Sequence, residues 1–309
     1  MLRPRLRIPR VGALLRQSQA ATICRSYHTP PALDQFNAAE GVPGLLSADG
    51  YHLAWTAYMG HVTEKLNRLT AGTDFEQTEA VKIVKSTARE PSQASVFNYA
   101  SMAHNSHFFF KNLANLNRPI PGASSPAADA TANPDAPAPA GVPIPERLRL
   151  EIEKNFSSVE TLRREFLLTA LGMFGPGFVW LVKNSQSQDL RILTTYLAGS
   201  PYTAAHWRRQ GLDMNTASGD LKTASEYLDR NKVGYGNSKY GRFEPTAPGG
   251  VDVIPLLCLN TWEHVWLRDY GIEVGGQGGK RQFVENWWYC IDWNKVEHAA
   301  GYKAQNNFV

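Results

Sequence analysis

One segment of this 309-residue chain consists almost entirely of proline, alanine and small polar residues, and it limits how the rest can be organised. Residues 119–145 contain eight prolines and eight alanines, and no lysine or arginine. Such a segment buries too little apolar surface to offset the entropy lost when a chain becomes ordered. It therefore predicts an exposed linker at 119–145 between an N-terminal domain, 28–118, and a C-terminal domain, 146–309.

The first residues have the composition of a targeting segment. Residues 1–33 contain six arginines and no acidic residue, which is typical of a mitochondrial transit peptide. Arg25 stands at the spacing that predicts cleavage after Tyr27, so residues 1–27 are interpreted as the transit peptide and the mature protein is placed in the mitochondrial matrix. A disordered basic arm that binds nucleic acid is the alternative.

The charge of the remaining chain argues against a protein that wraps nucleic acid. Without residues 1–33 the chain has 26 basic and 28 acidic residues, a net charge of about −2. Extensive binding to RNA needs many lysine and arginine contacts with phosphates. We therefore expect contacts mainly with proteins.

Hydrophobic spacing predicts helices before the linker. Two sets of residues repeat at intervals of three and four, which is the spacing of one buried helix face. They predict a helical hairpin within 28–118. The first set is Trp55, Met59, Val62, Leu66 and Leu69, and the second is Val96, Ala100, Ala103, His107 and Phe110.

The C-terminal part is predicted to combine helices and strands. Residues 145–173 read as two helices with a break near Ser157 and Ser158. Three apolar stretches follow that read as strands, at 178–182, 189–196 and 251–259. Helices followed by clustered strands indicate an α+β fold.

Residues 199–250 are too long for a simple connection and are interpreted as an insertion. The segment is rich in Gly, Tyr and Asn, and has seven basic and five acidic residues. Aromatic residues alternate with basic ones near Trp207 and Tyr240, a pattern that can stack on bases or on protein surfaces. We expect a macromolecular contact here, more with protein than with RNA, and a solvated surface loop is the alternative.

Several function classes are excluded by what the sequence lacks. Three cysteines exclude a disulfide scaffold, and Cys258 and Cys290 are predicted to be small buried apolar residues. No run of 18 apolar residues occurs, so no transmembrane helix is predicted. The sequence contains no P-loop, no Gly-x-Ser-x-Gly and no dinucleotide-binding motif.

The most specific motif is Asn-Thr-Trp-Glu-His at 260–264, directly after a predicted strand. It resembles the Asp-x-Trp-Glu-His signature of the iron/manganese superoxide dismutases. Further segments resemble that family in the same order: HTPPAL at 28–33, EKLNRL at 64–69, NSHFFFKNL at 105–113, GPGFVWLV at 175–182 and CIDWNKVEHAAGYKA at 290–304. The resemblance implies an N-terminal helical hairpin followed by an α/β domain with a small three-stranded antiparallel sheet.

The resemblance also implies where the family's metal ligands would lie, and most of those positions carry no ligand. They fall on Ala54, Ser106, Asn260 and His264, of which only His264 is a ligand side chain. Asn260 is neutral and a weak ligand for manganese or iron. His52 and His107 are one or two residues out of register and need a helical bulge to reach the site. We expect no metal, no other cofactor and no catalytic residue, so the protein is predicted not to be an enzyme.

Two residues of the motif retain a predicted role in pairing. The resemblance implies a two-fold dimer in which the motif glutamate of one subunit reaches the motif histidine of the other. In this sequence the glutamate is Glu263 and the histidine is His264. The alternative is that Glu263 is only a surface acid.

A dismutase-like chain without a metal site but with a transit peptide resembles the fungal mitochondrial small-subunit ribosomal proteins of this fold. The resemblance implies a non-catalytic structural component of the mitochondrial ribosome. Its expected partners are a same-fold paralogue, other small-subunit proteins and limited rRNA, with no membrane. Two alternatives remain: a matrix manganese or iron superoxide dismutase with unusual ligands, and a free matrix protein that uses the dimer face for an unrelated partner.

Overall fold

The computed structural model describes residues 28–88, 90–116, 141–202 and 252–301. The predicted transit peptide with its cleavage site, most of the predicted linker and most of the predicted insertion lie outside these ranges. None of the described helices is long and apolar enough to cross a membrane.

The N-terminal part begins with a continuous helical rod made of α1 (Ala48–Tyr51), a π-helix (His52–Ala57) and α2 (Tyr58–Thr70). Ser47 caps the start, because its hydroxyl accepts a hydrogen bond from the Gly50 N–H at 3.0 Å. The predicted stripe is buried from Trp55 to Leu66, whereas Leu69 is 39% exposed and Thr70 is buried in its place.

Helices α3 (Ala80–Thr87) and α4 (Ala94–Lys111) complete the N-terminal part, and both α2 and α3 pack on α4. The sequence did not predict α3. It packs Ile83 and Val84 against Leu66 and Phe97 in a small cluster of its own. A short 3-10 turn (Pro91–Gln93) leads into α4.

Two helices precede the sheet, α5 (Glu146–Phe156) and α6 (Val159–Gly172). They break where the sequence predicted, at Ser157, which has a φ of 67°, and Ser158. The Ser158 hydroxyl accepts from the Thr161 N–H at 3.0 Å and so starts α6.

The sheet has three strands, β1 (Gly177–Asn184), β2 (Leu190–Tyr196) and β3 (Val253–Asn260). Their order is β2-β1-β3, and both pairings are antiparallel. Every residue of the central strand β1 is buried. Pro255 lies in the edge strand β3, beside a shift of register against β1, where a residue without an N–H is tolerated. The predicted α+β fold with a small antiparallel sheet is confirmed.

The described part of the chain ends with α7 (Glu263–Tyr270), α8 (Gly279–Tyr289) and α9 (Trp293–Ala300). One hydrophobic cluster joins the helical rod, α4, the sheet and these helices. Cys258 and Cys290 are buried, as predicted.

The carboxylate of Asp269 in α7 binds the residue that starts the rod. Asp269 accepts hydrogen bonds from the backbone N–H of Ser47 at 2.8 Å and from its hydroxyl at 2.6 Å. A Cβ at Gly50 would lie 2.1 Å from an Asp269 oxygen, so a larger residue there would displace this carboxylate.

Candidate functional site

Helix α4 runs antiparallel to β3, which places Ser106 near Asn260. At one end, the Asn112 side chain donates to the Leu256 carbonyl at 3.3 Å. At the other end, the Asn105 side chain donates to the Gly199 carbonyl at 2.8 Å.

Gly199 marks the sheet end where β3 finishes. Its N–H donates to the carbonyl of Tyr196, which is paired with Gly177 in β1. The Gly177 carbonyl in turn accepts from the Thr261 N–H at 2.9 Å. Asn105 and Asn260 therefore lie at the same end of the sheet.

The rod approaches the same place from the other side. Trp55 of the π-helix lies against His107 of α4, with ring centroids 6.1 Å apart, and the π-helix, which contains Ala54, also contacts α7. Tyr58 stacks on His264 with 4.0 Å between centroids and 23° between ring planes. The structure thus brings the four ligand positions implied by the resemblance to one location.

This location is buried and has unused hydrogen-bonding groups. Ala54, Ser106 and Asn260 are buried, and His264 is partly buried. Within the described ranges, Ser106 Oγ, Asn260 Nδ2 and His264 Nε2 are buried atoms with no hydrogen-bond partner. Burial lowers the pKa of His264 to about 4, so its imidazole is neutral near pH 7. Burial also raises the pKa of Tyr58.

The residues at this location do not fit manganese or iron. Ala54 has no donor atom for a metal. Asn260 Oδ1 accepts from the Trp262 N–H at 3.0 Å, and a backbone N–H can only donate, so the other end of the amide, Nδ2, is the free one. An amide N–H₂ presents hydrogens and cannot coordinate a cation.

The neighbouring histidines do not supply the lost ligands. The π-helix is a bulge of the kind that His52 would need, yet His52 remains exposed. His107 is half-buried against Trp55. Among the residues that the structure describes, no group of three His, Cys, Asp or Glu side chains could hold a metal ion.

His104 has a structural partner that the sequence analysis missed. Its Nε2 is 2.9 Å from the hydroxyl of Tyr202, and the Lys85 ammonium lies 4.6 Å from the centre of the Tyr202 ring. Burial lowers the pKa of His104 to about 4, and the charges of His107, Lys85 and Lys111 act in the same direction. No spacing signal links residues 98 positions apart, so only the fold could reveal this contact.

His104 predicts a pH dependence of stability. An unfolded histidine titrates near 6.5 and the folded one near 4, so the unfolded chain binds more protons between these values. The free energy of unfolding should therefore fall as the pH drops from 6.5 to 4, by about 3 kcal/mol or less at about 1.4 kcal/mol per unit of pKa. Urea unfolding across this range measures it. His104→Gln should remove the share of this fall that comes from His104 and leave the share of His264, whose pKa burial also lowers to about 4. His52→Gln, at an exposed position, should leave the profile unchanged.

Glu263 lies on the surface next to this location. It begins α7, is partly exposed, and its charge acts on Lys280, whose ammonium donates to the Met173 carbonyl at 3.0 Å. Phe174, which follows Met173 in the sequence, is 97% exposed.

Comparisons with known proteins agree with this architecture. The family model for the C-terminal domain of iron/manganese superoxide dismutases matches residues 144–212 and 241–299. Small ribosomal subunit protein mS43 of Schizosaccharomyces pombe is 28% identical over 274 residues, which cover 89% of this chain and 84% of the relative. Small ribosomal subunit protein mS42 of the same yeast is 24% identical, with 69% of each chain covered.

An enzyme is also similar, at lower identity than mS43. The iron superoxide dismutase of Campylobacter coli is 24% identical over 255 residues, which cover 82% of each chain. The resemblance drawn from the sequence motifs is therefore confirmed, and the chain has the fold of the iron/manganese superoxide dismutases.

Proposed function

We propose that this chain is a non-catalytic structural protein of the small subunit of the mitochondrial ribosome, paired there with a partner of the same fold. The observation that carries the proposal is the similarity to mS43 over 89% of the chain. The similarity to mS42 adds a second small-subunit protein of related sequence. A location in the mitochondrial matrix follows from this assignment and agrees with the arginine-rich N-terminus.

The absence of catalysis is supported by the chemistry of the ligand positions. Ala54 offers no donor atom, Ser106 offers a neutral hydroxyl, and Asn260 turns its N–H₂ group away from the Trp262 N–H. A redox metal in such a site would lack the carboxylate that offsets its charge, and would keep one histidine. These positions therefore favour a structural role over a dismutase with unusual ligands.

The face around Glu263 and His264 is proposed to bind the same-fold partner. The three most exposed large apolar side chains of the described residues lie around the start of α8, where the charge of Glu263 acts on Lys280: Phe174 at 97%, Ile272 at 79% and Val274 at 75%. The start of α8 lies between these three side chains. Lys280 donates to the carbonyl of Met173, the residue before Phe174. Gly279 packs against Glu273, the residue between Ile272 and Val274. Apolar side chains with charged groups at their edge are typical of a protein interface, which has an apolar core and a polar rim.

Fractionation of a mitochondrial lysate on a density gradient tests the assignment. We expect the chain to sediment with the small ribosomal subunit and its rRNA, and the purified chain to contain no stoichiometric manganese or iron by elemental analysis. A chain that stays in the soluble fractions with about one metal ion per molecule would instead be a matrix dismutase. A metal-free chain in the soluble fractions would indicate an unrelated matrix partner.

A further inference from the structure

We propose that the four former ligand positions enclose a binding site for one water molecule, held by Ser106 Oγ, Asn260 Nδ2 and His264 Nε2. These three atoms are buried and lack partners among the described residues. They come from three separate elements, α4, the end of β3 and α7. The water would join these elements at the place where the fold brings them together.

Leaving these three buried atoms without hydrogen bonds would destabilise the fold. A buried polar group without a hydrogen bond costs about 1–3 kcal/mol, and the large majority of buried polar side-chain atoms in proteins have a partner. Three unpaired atoms at one location would therefore be a large penalty. Buried waters typically make about three hydrogen bonds to otherwise unsatisfied groups.

The hydrogen-bond donors and acceptors of the three atoms match those of one water molecule. Asn260 Nδ2 can only donate, because its Oδ1 faces the Trp262 N–H. Ser106 Oγ can donate or accept, and a neutral imidazole nitrogen does one or the other according to its tautomer. A water molecule accepts two hydrogen bonds and donates two, so it can satisfy all three atoms whichever tautomer His264 adopts.

The three side chains are neutral, which favours a water molecule over an ion. A cation would meet the hydrogens of the Asn260 amide, and no carboxylate belongs to the set. An anion would be buried beside neutral groups only, and burial of an unpaired charge is strongly unfavourable. A neutral molecule that both donates and accepts hydrogen bonds is the ligand that matches this set of atoms.

A crystal structure at a resolution that shows ordered waters tests the proposal, with data also collected at the manganese and iron absorption edges. We expect one peak within about 2.7–3.2 Å of all three atoms and no anomalous signal. If the three side chains touch one another directly or no peak is present, the water site is wrong and the ribosomal assignment is unaffected. An anomalous peak would overturn the water site and the non-catalytic role together.

A pair of serine variants adds a second test in crystals. Ser106→Ala removes one of the three partners, so the peak should be lost or weakened to less than half of its wild-type height. Ser101→Ala is the matched control, because Ser101 is also a buried serine of α4 but contacts Asn105 instead. An unchanged peak in Ser106→Ala would contradict the assignment of Ser106.

Discussion

A chain with Glu263→Lys is expected to fold normally and to lose its same-fold partner. The change places a cation on the proposed pairing face, where the partner's corresponding histidine and the apolar side chains around Phe174 would exclude water. Charge reversal at a desolvated contact costs about 2 kcal/mol or more, which weakens the pair by more than tenfold. Co-purification of the two proteins and their occupancy in the small subunit measure the effect.

The control for this experiment is Asp74→Lys. Asp74 is exposed in the turn between α2 and α3, and its change alters the net charge by the same amount. We expect this variant to retain its partner, and both variants to keep the wild-type circular dichroism spectrum. Normal occupancy of the Glu263→Lys chain in the particle would mean that the pairing face lies elsewhere.

Rebuilding the ligand set is expected to create a metal site. The triple variant Ala54→His, Ser106→His and Asn260→Asp places two imidazoles and a carboxylate at buried positions that meet near His264. The larger side chains cost about 1–3 kcal/mol each in packing strain, which metal binding would offset. We expect about one manganese or iron per chain after dialysis and elemental analysis, against none in the wild type.

The double variant Ala54→His and Ser106→His is the control for the carboxylate. It keeps Asn260, whose free Nδ2 presents hydrogens to the site, and should bind the metal at least tenfold more weakly than the triple variant. A triple variant that is folded yet metal-free would show that the four positions do not share one centre.

Much of the fold could be predicted because its signals are local. The intervals of three and four in the first helices, the Ser157–Ser158 break and the apolar strand at 178–182 each depend on neighbouring residues, and the structure agrees with them. Helix α3 was missed because eight residues provide little more than two turns of periodicity. Leu69 was assigned to the wrong side because it lies at the end of a helix, where the buried face passes to Thr70.

The site could be predicted only as a set of positions. The motif order indicated Ala54, Ser106, Asn260 and His264, and these residues lie at one location in the structure. The orientation of the Asn260 amide and the contact of His104 with Tyr202 depend on groups distant in sequence, so no spacing could indicate them. The π-helix likewise has no signature in its sequence, HLAWTA.

The two ends of the Asn260 amide have independent consequences. Its oxygen holds the turn into α7 through the Trp262 N–H, and any side chain with a planar oxygen in that place would do the same. The other end alone distinguishes an amide from a carboxylate, so a substitution between Asn and Asp leaves the turn intact while it removes or restores a negative charge. The shape of the turn and the charge of the site therefore depend on different atoms of the same side chain. A single substitution can remove the charge that a reaction needs and leave the loop unchanged.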